Sequence, residues 1–467
     1  MSYVPNTAAE QGEMLRSVGV TTLEDLLAPI PAEVRLKRQL DLPKAATEPD
    51  VKRLMMGLAE QNADLDHYAS FLGAGSYDHV TPSLVPQLVK RSEFYTSYTP
   101  YQPELSQGML QAIYEFQTMV CQITGMDVAN ASLYDGSTGV VEAALMAVGP
   151  GGRGEVVVSR ALDPQYRATL RTYAWARGFT LHEIGLEDGA TSVAELRKAL
   201  TPETKAVIIQ QPNFFGALED VTAIEQATHA TKALFVVAIS EPASLGVLTA
   251  PGSYGADIVA AEGQSLGNPI GYGGPALGLF ASRADLVRRM PGRLVGKTVD
   301  DAGQTGYVLT LQTREQHIRR ERATSNICTN QALLALGTTI YLATLGKQGF
   351  RELGVQCMQK AHYAQQRISA LPGFKPLFSR PFFDEFAITC PLTVEEINAE
   401  LRDRGIIGGY DLSHDYPELG ENAALFCVTE TRTRDDIDLL VTALEDIVEQ
   451  DHSGHVEEHV QTVGVAR

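Results

Sequence analysis

The sequence predicts an α/β fold: an N-terminal helical arm, a large domain built on a mainly parallel sheet, and a small C-terminal α/β domain. Three observations carry this expectation. Through the middle of the chain, short unbroken apolar runs alternate with helical segments: "EVVVSR" precedes "DPQYRATLRTYAWARG", "KAVIIQQP" precedes "DVTAIEQATHAT", and "ALFVVAIS", "ADIVAA" and "ALGLFAS" follow. Unbroken rather than alternating apolar strands belong to sheets covered on both faces. Before this zone the apolar residues recur only at helical spacing. After it, a long helical stretch gives way to a compact mixture of helices and strands.

The arm spans residues 1–65, with helical spacing in "TAAEQGEMLRSVG" and "TEPDVKRLMMGLAEQN" and with Thr7 and Thr47 placed to cap them. Between these helices "DLLAPIPAEVRLKRQLDLPK" carries three prolines and is expected to lack regular structure. The large domain covers 66–330. The small domain, 331–450, opens with "TNQALLALGTTIYLATLGKQGFRELGVQCMQKAHYAQQRISAL", expected to break around Gly346 to Gly349. It continues with strand "FDEFAITC", helix "TVEEINAELRDRG", strands "IIGGYDL" and "AALFCVTE", and helix "TRDDIDLLVTALEDIVEQ". Residues 451–467 form a polar tail expected to fray. An arm, a parallel-sheet domain and a small α/β domain in this order imply the aminotransferase-like fold, type I of the pyridoxal phosphate (PLP)-dependent transferases.

Composition narrows the function. The chain has 467 residues, 44% hydrophobic and 20% charged, as in a globular metabolic enzyme. A net charge of −19 argues against nucleic acid or an anionic membrane as partner, because both demand clustered Lys and Arg. The five cysteines, Cys121, Cys328, Cys357, Cys390 and Cys427, are widely spaced, which suggests reduced thiols and no metal site. With no signal-peptide pattern and no membrane-length apolar run, the expected location is the cytoplasm.

A cofactor site in this fold needs a lysine for the imine, a carboxylate for the pyridine nitrogen and a phosphate cradle at a helix N-terminus. In "ADIVAAEGQSLGNPIGYGGPALG" the turn where the lysine is expected reads Gln264, Ser265, Leu266, with Ser265 at the expected position. The strand "ALFVVAIS", which should end in an aspartate, runs instead into Ser240, Glu241 and Pro242. A cradle is available at Gly136, Ser137 and Thr138, after Asp135, although a plain helix cap reads equally well there. Two of three groups are missing, so the chain reads as a cofactor-free copy of the fold. Lys297 in "GRLVGKTVDD" is the one lysine near enough in sequence to act as a displaced substitute.

Long idiosyncratic stretches then point to a family. "VRLKRQLDLP", "FLGAGSYDH", "RSEFYTSYTPYQPELSQGMLQAIYEFQTM", "ITGMDVANASLYDGST" and "GYVLTLQTREQHIRRERATSNICTNQALLAL" resemble the P-protein of the glycine cleavage system, specifically the subunit 1 (alpha) type of two-subunit glycine dehydrogenases (decarboxylating). The resemblance implies that glycine forms an imine with PLP and loses CO2. The remaining aminomethyl group passes to the lipoyl arm of H-protein. It also implies that the cofactor lysine belongs to the partner, subunit 2 (beta), that this chain binds no cofactor covalently, and that two αβ pairs form an α2β2 heterotetramer.

Other residues are candidates for contact with substrate or partner. In "FYTSYTPYQPE", Tyr95, Tyr98 and Tyr101 recur every third residue, while Pro100 and Pro103 disfavour a helix. A polyproline II run would align the three phenols beside Gln102, as a wall for a small polar substrate; a core edge is the plainer reading. "FLGAGSYDH" offers Gly73, Gly75, Tyr77 and His79 as a ligand loop or an ordinary turn. Arg314, His317, Arg319, Arg320 and Arg322, at helical spacing, suit docking of the partner better than catalysis. Three readings follow: a half-site enzyme subunit, a self-sufficient enzyme using Lys297, and a non-catalytic structural or regulatory paralogue that stabilises its partner.

Overall fold

A computed structural model describes residues 6–97, 100–149, 151–327 and 331–464, with side chains described as far as 450. The chain forms two compact units, divided between Ala63 and Asp64.

In the first unit, Ala8–Ser17 starts with a capping box: Thr7 Oγ1 accepts from the Glu10 N–H, and the Glu10 carboxylate accepts from the Thr7 N–H. Thr22 and Asp25 repeat the device at Leu23–Leu26, and Thr47 caps Glu48–Ala59 by accepting from the Asp50 N–H. Residues 28–46 hold neither helix nor strand, as the prolines predict. None of these helices buries a residue.

The second unit contains a seven-stranded sheet: β1 (Val128–Ala129), β2 (Glu155–Ser159), β3 (Thr180–Ile184), β4 (Thr204–Gln210), β5 (Leu234–Ile239), β6 (Ile258–Glu262) and β7 (Gly278–Ser282). The order is β1-β7-β6-β5-β4-β2-β3; β2 to β6 run parallel, and β7 is antiparallel to both its neighbours. Apolar side chains leave both faces of this sheet, Val157, Val207 and Val237 into one core cluster and Val156, Ile208 and Val236 into another. That two-sided burial is the physical reason the strands read as unbroken apolar runs. Because the central strands are parallel, the segments following β2, β4, β5 and β6 emerge at one edge, where ligands bind in such sheets.

An antiparallel hairpin follows, β8 (Leu294–Val299) with β9 (Thr305–Thr310). Ala332–Ile368 is helical except at Gly346, with φ 60° and ψ −176°, where the break was expected. The small sheet comprises β10 (Lys375–Pro376), β11 (Glu385–Thr389), β12 (Tyr410–Asp411) and β13 (Ala423–Cys427) in the order β10-β11-β13-β12, all antiparallel. "IIGGYDL" is therefore not one strand: Ile406–Ile407 pairs with Ala69–Ser70, and only Tyr410–Asp411 joins the sheet. The last helix, Arg434–Gly464, extends beyond residue 450. Among the described residues, no helix is long and apolar enough to cross a membrane.

Candidate functional site

A cavity of about 280 Å³ opens where the helix Gly136–Val148, the helix Pro164–Arg177 and the turn after β6 converge. Its lining includes Asp135, Ser137, Asp163, Tyr166, Glu262 and Gln264, closed on one side by the glycine-rich loop 269–276.

At the helix N-terminus that reads as a phosphate cradle, the N–H groups of Gly136 and Thr138 are already satisfied by the chain's own groups. Asp135 Oδ1 accepts from the Thr138 N–H at 2.7 Å, which is the cap reading. The Gly136 N–H donates to Glu262 Oε2 at 2.9 Å, so a buried carboxylate sits where an external anion would. Glu262 Oε1 also accepts from the Gln264 N–H at 2.9 Å and the Leu277 N–H at 3.0 Å. Burial nevertheless pushes Glu262 up to about 7. Ser137 donates to the Thr169 hydroxyl at 2.8 Å. Gly136 is required sterically, since a Cβ there would meet the Tyr166 hydroxyl at 2.1 Å.

The turn after β6 corrects one expectation. Ser265 does not face the cavity: it is buried, and its hydroxyl donates to Glu241 Oε1 at 3.0 Å. The residue of this turn that lines the cavity is Gln264, its carbonyl accepting from the Tyr77 N–H at 3.2 Å and its amide donating to the Asn268 carbonyl at 2.7 Å. Glu262 holds the Gln264 N–H at the start of the turn, which orients these two neighbours differently. Neither is a lysine, so neither can form the imine.

Behind the cavity lies a buried polar network that the sequence did not reveal. His79 bridges two carboxylates, with Nδ1 at 2.6 Å from Glu430 and Nε2 at 3.1 Å from Glu241. Burial opposes the charged ring, but Glu241 and Glu430 outweigh it and hold the His79 pKa well above its ordinary value. His79, Cys357 and Glu430 bring ligand-type atoms within 4.8 Å of one another, yet both ring nitrogens are engaged by carboxylates, so the arrangement reads as an ion triad. The Tyr77 hydroxyl donates to Glu385 at 2.8 Å, and burial pushes Glu385 up to about 8. Gly73 and Gly75 allow this loop to pass close to carboxylates: added Cβ atoms would stand 2.4 Å from Glu385 and 2.9 Å from Asp163. Tyr77 and His79 therefore serve the network rather than the cavity.

Of the three tyrosines, the two among the described residues, Tyr95 and Tyr101, do not lie on one extended run. Tyr95 ends a one-turn helix, Ser92–Tyr95, and is exposed, so it is not part of an extended run. The prolines that disfavour a helix come after this turn and do not act on it. Tyr101 is exposed but pinned, with Arg293 stacked on its ring and donating to its hydroxyl at 3.0 Å. Gln102 is exposed at a bend, and Tyr98 lies outside the described residues. The arginine run is broken into single turns, so its helical spacing is not expressed. Arg314 is spent on the carbonyls of Met290, Leu311 and Gly292, while Arg319, Arg320 and Arg322 remain exposed. Lys297 sits exposed on the β8–β9 hairpin opposite Tyr307 and is not part of the cavity lining.

These residues do not fit PLP. Among the described residues no Lys, Arg or His lines the cavity, the N–H groups of Gly136 and Thr138 are taken by Glu262 and Asp135, and the remaining acids would repel a phosphate. The fold and the chemistry thus diverge. A family model described as "Glycine cleavage system P-protein" matches residues 1–444. The chain belongs to the glycine cleavage system P-protein family. Among P-proteins it is 52% identical to the probable glycine dehydrogenase (decarboxylating) subunit 1 of Moorella thermoacetica, over 96% of this chain and 100% of that one. It is equally 52% identical to the chain of that name from Desulfitobacterium hafniense, with the same coverage. A crystal structure of glycine decarboxylase (P-protein) in inhibitor-bound form superposes with a TM-score of 0.86 at 45% identity, covering 96% of this chain and 100% of that chain. A sphingosine-1-phosphate lyase from Burkholderia pseudomallei shares the fold alone, with a TM-score of 0.65 at 15% identity over 93% of this chain and 98% of that chain. The fold is therefore the aminotransferase-like one expected, and a P-protein chain is where its polar network and acid-lined cavity reside.

Proposed function

We propose that this chain is the cofactor-free half of a two-subunit glycine-decarboxylating enzyme in the cytoplasm. A partner of subunit 2 (beta) type supplies PLP and its lysine, and the two chains assemble as α2β2. Glycine loses CO2 on the assembled enzyme, and the aminomethyl group passes to the lipoyl arm of H-protein. The observation that carries this reading is the turn at Gln264 and Ser265, with no lysine at either position and acids where a phosphate would sit. The subunit 1 naming of the relatives supports the need for a second chain.

A second reading, a non-catalytic paralogue that only stabilises the partner, gains from the tyrosine segment. Tyr95 and Tyr101 do not form a shared wall for substrate, and Tyr101 is occupied by Arg293. Reconstitution separates the readings. The chain alone should give no borohydride-fixed pyridoxyl adduct, and mixing with subunit 2 should switch on CO2 release from glycine. An adduct at Lys297 would establish the self-sufficient enzyme. Full activity of subunit 2 without this chain would defeat the half-site proposal.

A further inference from the structure

The cavity beside Gly136 occupies the place of a cofactor pocket but has the opposite charge preference. Its acids are not equivalent. The carboxylate of Glu262 is compensated by three N–H groups, those of Gly136, Gln264 and Leu277, at the start of a helix and a turn. Asp135 and Asp163 each use only Oδ1: Asp135 Oδ1 takes the Thr138 N–H, and Asp163 Oδ1 takes the N–H groups of Gln165 at 2.8 Å and Tyr166 at 3.3 Å. Among the described residues, neither Oδ2 has a hydrogen-bond donor.

An independent observation points to a ligand. Tyr166 lines the same cavity, is only 7% exposed, and its hydroxyl has no hydrogen-bond partner among the described residues. The hydroxyl is reached from the cavity, where a ligand would be its partner. Asp163, 3% exposed, is likewise a buried carboxylate with a free oxygen and no cation in the lining. We propose that this cavity binds a small organic ammonium ion, drawn to the free oxygens of Asp135 and Asp163, with the Tyr166 hydroxyl as its neutral partner.

The alternatives fit less well. A phosphate or carboxylate ligand would meet acids and no basic side chain. A single metal ion requires ligand atoms gathered closely, and among the described residues the cluster meeting that requirement is His79, Cys357 and Glu430, not these acids. A molecular cation, with donors spread over several ångströms, spans what one ion does not. The volume, about 280 Å³, is far more than a single water needs and leaves room for a small organic molecule. Burial raises Asp163 to about 6 and Glu262 to about 7, so the cavity resists negative charge that an ammonium group would stabilise.

The test is calorimetric titration of the full chain with ethanolammonium chloride at fixed ionic strength, alongside sodium phosphate, magnesium chloride and ethylene glycol. Saturable binding is expected for ethanolammonium alone. Asp163→Asn should weaken it by about tenfold or more, since hydrogen bonds to charged groups are the strong ones, and asparagine still caps the helix that starts at Pro164. Tyr166→Phe, which removes no internal hydrogen bond, should weaken it a few-fold and decides the matter if Asp163→Asn fails to fold. Absence of ethanolammonium binding, tighter binding of phosphate or magnesium, or unchanged affinity in the folded variants would each overturn the proposal.

Discussion

Carboxylates at the exposed helix starts of the arm and carboxylates buried around the cavity of the body shift in opposite directions, and the contrast shows what each place is built to do. Glu10 and Asp25 are held below the usual carboxylate range by hydrogen bonds from the backbone of Thr7 and Thr22, at fully exposed helix starts. Glu262, Asp163 and Glu385 are raised by burial despite accepting similar N–H bonds. Local capping makes the arm helical without a core. The body instead spends its packing on keeping acids dry. The arm exposes Leu23, Leu54, Met55, Met56 and Leu58, whereas in the body Phe235, Phe280 and Phe426 are almost wholly buried.

The largest effect expected from this contrast is on packing. Phe235, on β5 and 0% exposed, belongs to one of the two clusters that flank the sheet. Phe235→Ala should cost about 3–5 kcal/mol, a large share of the about 5–15 kcal/mol that holds a domain folded. Deleting residues 1–63 should leave the melting transition of the body nearly unchanged, because no arm helix contributes a buried residue. Scanning calorimetry on both variants checks the pair. A large loss of Tm on deleting the arm would contradict the comparison.

The pH dependence comes next, with opposite signs in the two regions. Groups raised by folding, Asp163 to about 6, Glu262 to about 7 and Glu385 to about 8, contribute stability that is complete below their unfolded values and lost as pH rises through the folded ones. His79, also raised, adds in the same direction. Tm of the body should therefore fall by several degrees between pH 5.5 and 8.5, at about 1 °C per kcal/mol for a unit of this size. In the arm, the lowered values of Glu10 and Asp25 favour helix at neutral pH and lose that effect as pH falls below about 4. Amide exchange resolved by segment separates the trends; a body stabilised by raising the pH would reverse the assignment.

The same contrast explains what could be read from the sequence. Elements whose cause is local were legible: the Thr7 and Thr47 caps, the disordering prolines, the break at Gly346, and the five central strands with continuous apolar runs. Strand β3 was missed because "TLHEI", at a sheet edge, is polar and only partly buried. The β8–β9 hairpin was missed because "GRLVGKTVDD" turns at charged residues and buries only its first positions. At the site, the residues that fill the place of a cofactor's partners were not legible. Glu262 was hidden in an apolar strand end, and its partners Gly136 and Leu277 lie 126 and 15 residues away. A carboxylate closing an otherwise apolar strand, directly before the turn that should carry the lysine, was the signal available. Pairings over such separations are set by the sheet, not by spacing.

The smallest effect on the isolated chain is the most informative about the assembled one. Leu54 lies in the helix Glu48–Ala59 and is 62% exposed, with Met55 and Leu58 also exposed beside it. A helix this well capped, with apolar side chains that cover nothing of its own, is suited to a surface supplied by another chain, here the proposed subunit 2. Leu54→Ala should leave stability within about 0.5 kcal/mol, since no core contact is lost and alanine favours helix. At an interface the same change removes a leucine from burial, worth roughly 1.5–3 kcal/mol, and so should weaken association about 10- to 100-fold. Sedimentation of the two subunits at several concentrations reads the second number, and thermal melting of the chain alone reads the first. Unaltered association would remove the arm from the docking surface and leave the exposed arginines Arg319, Arg320 and Arg322 as the place to look.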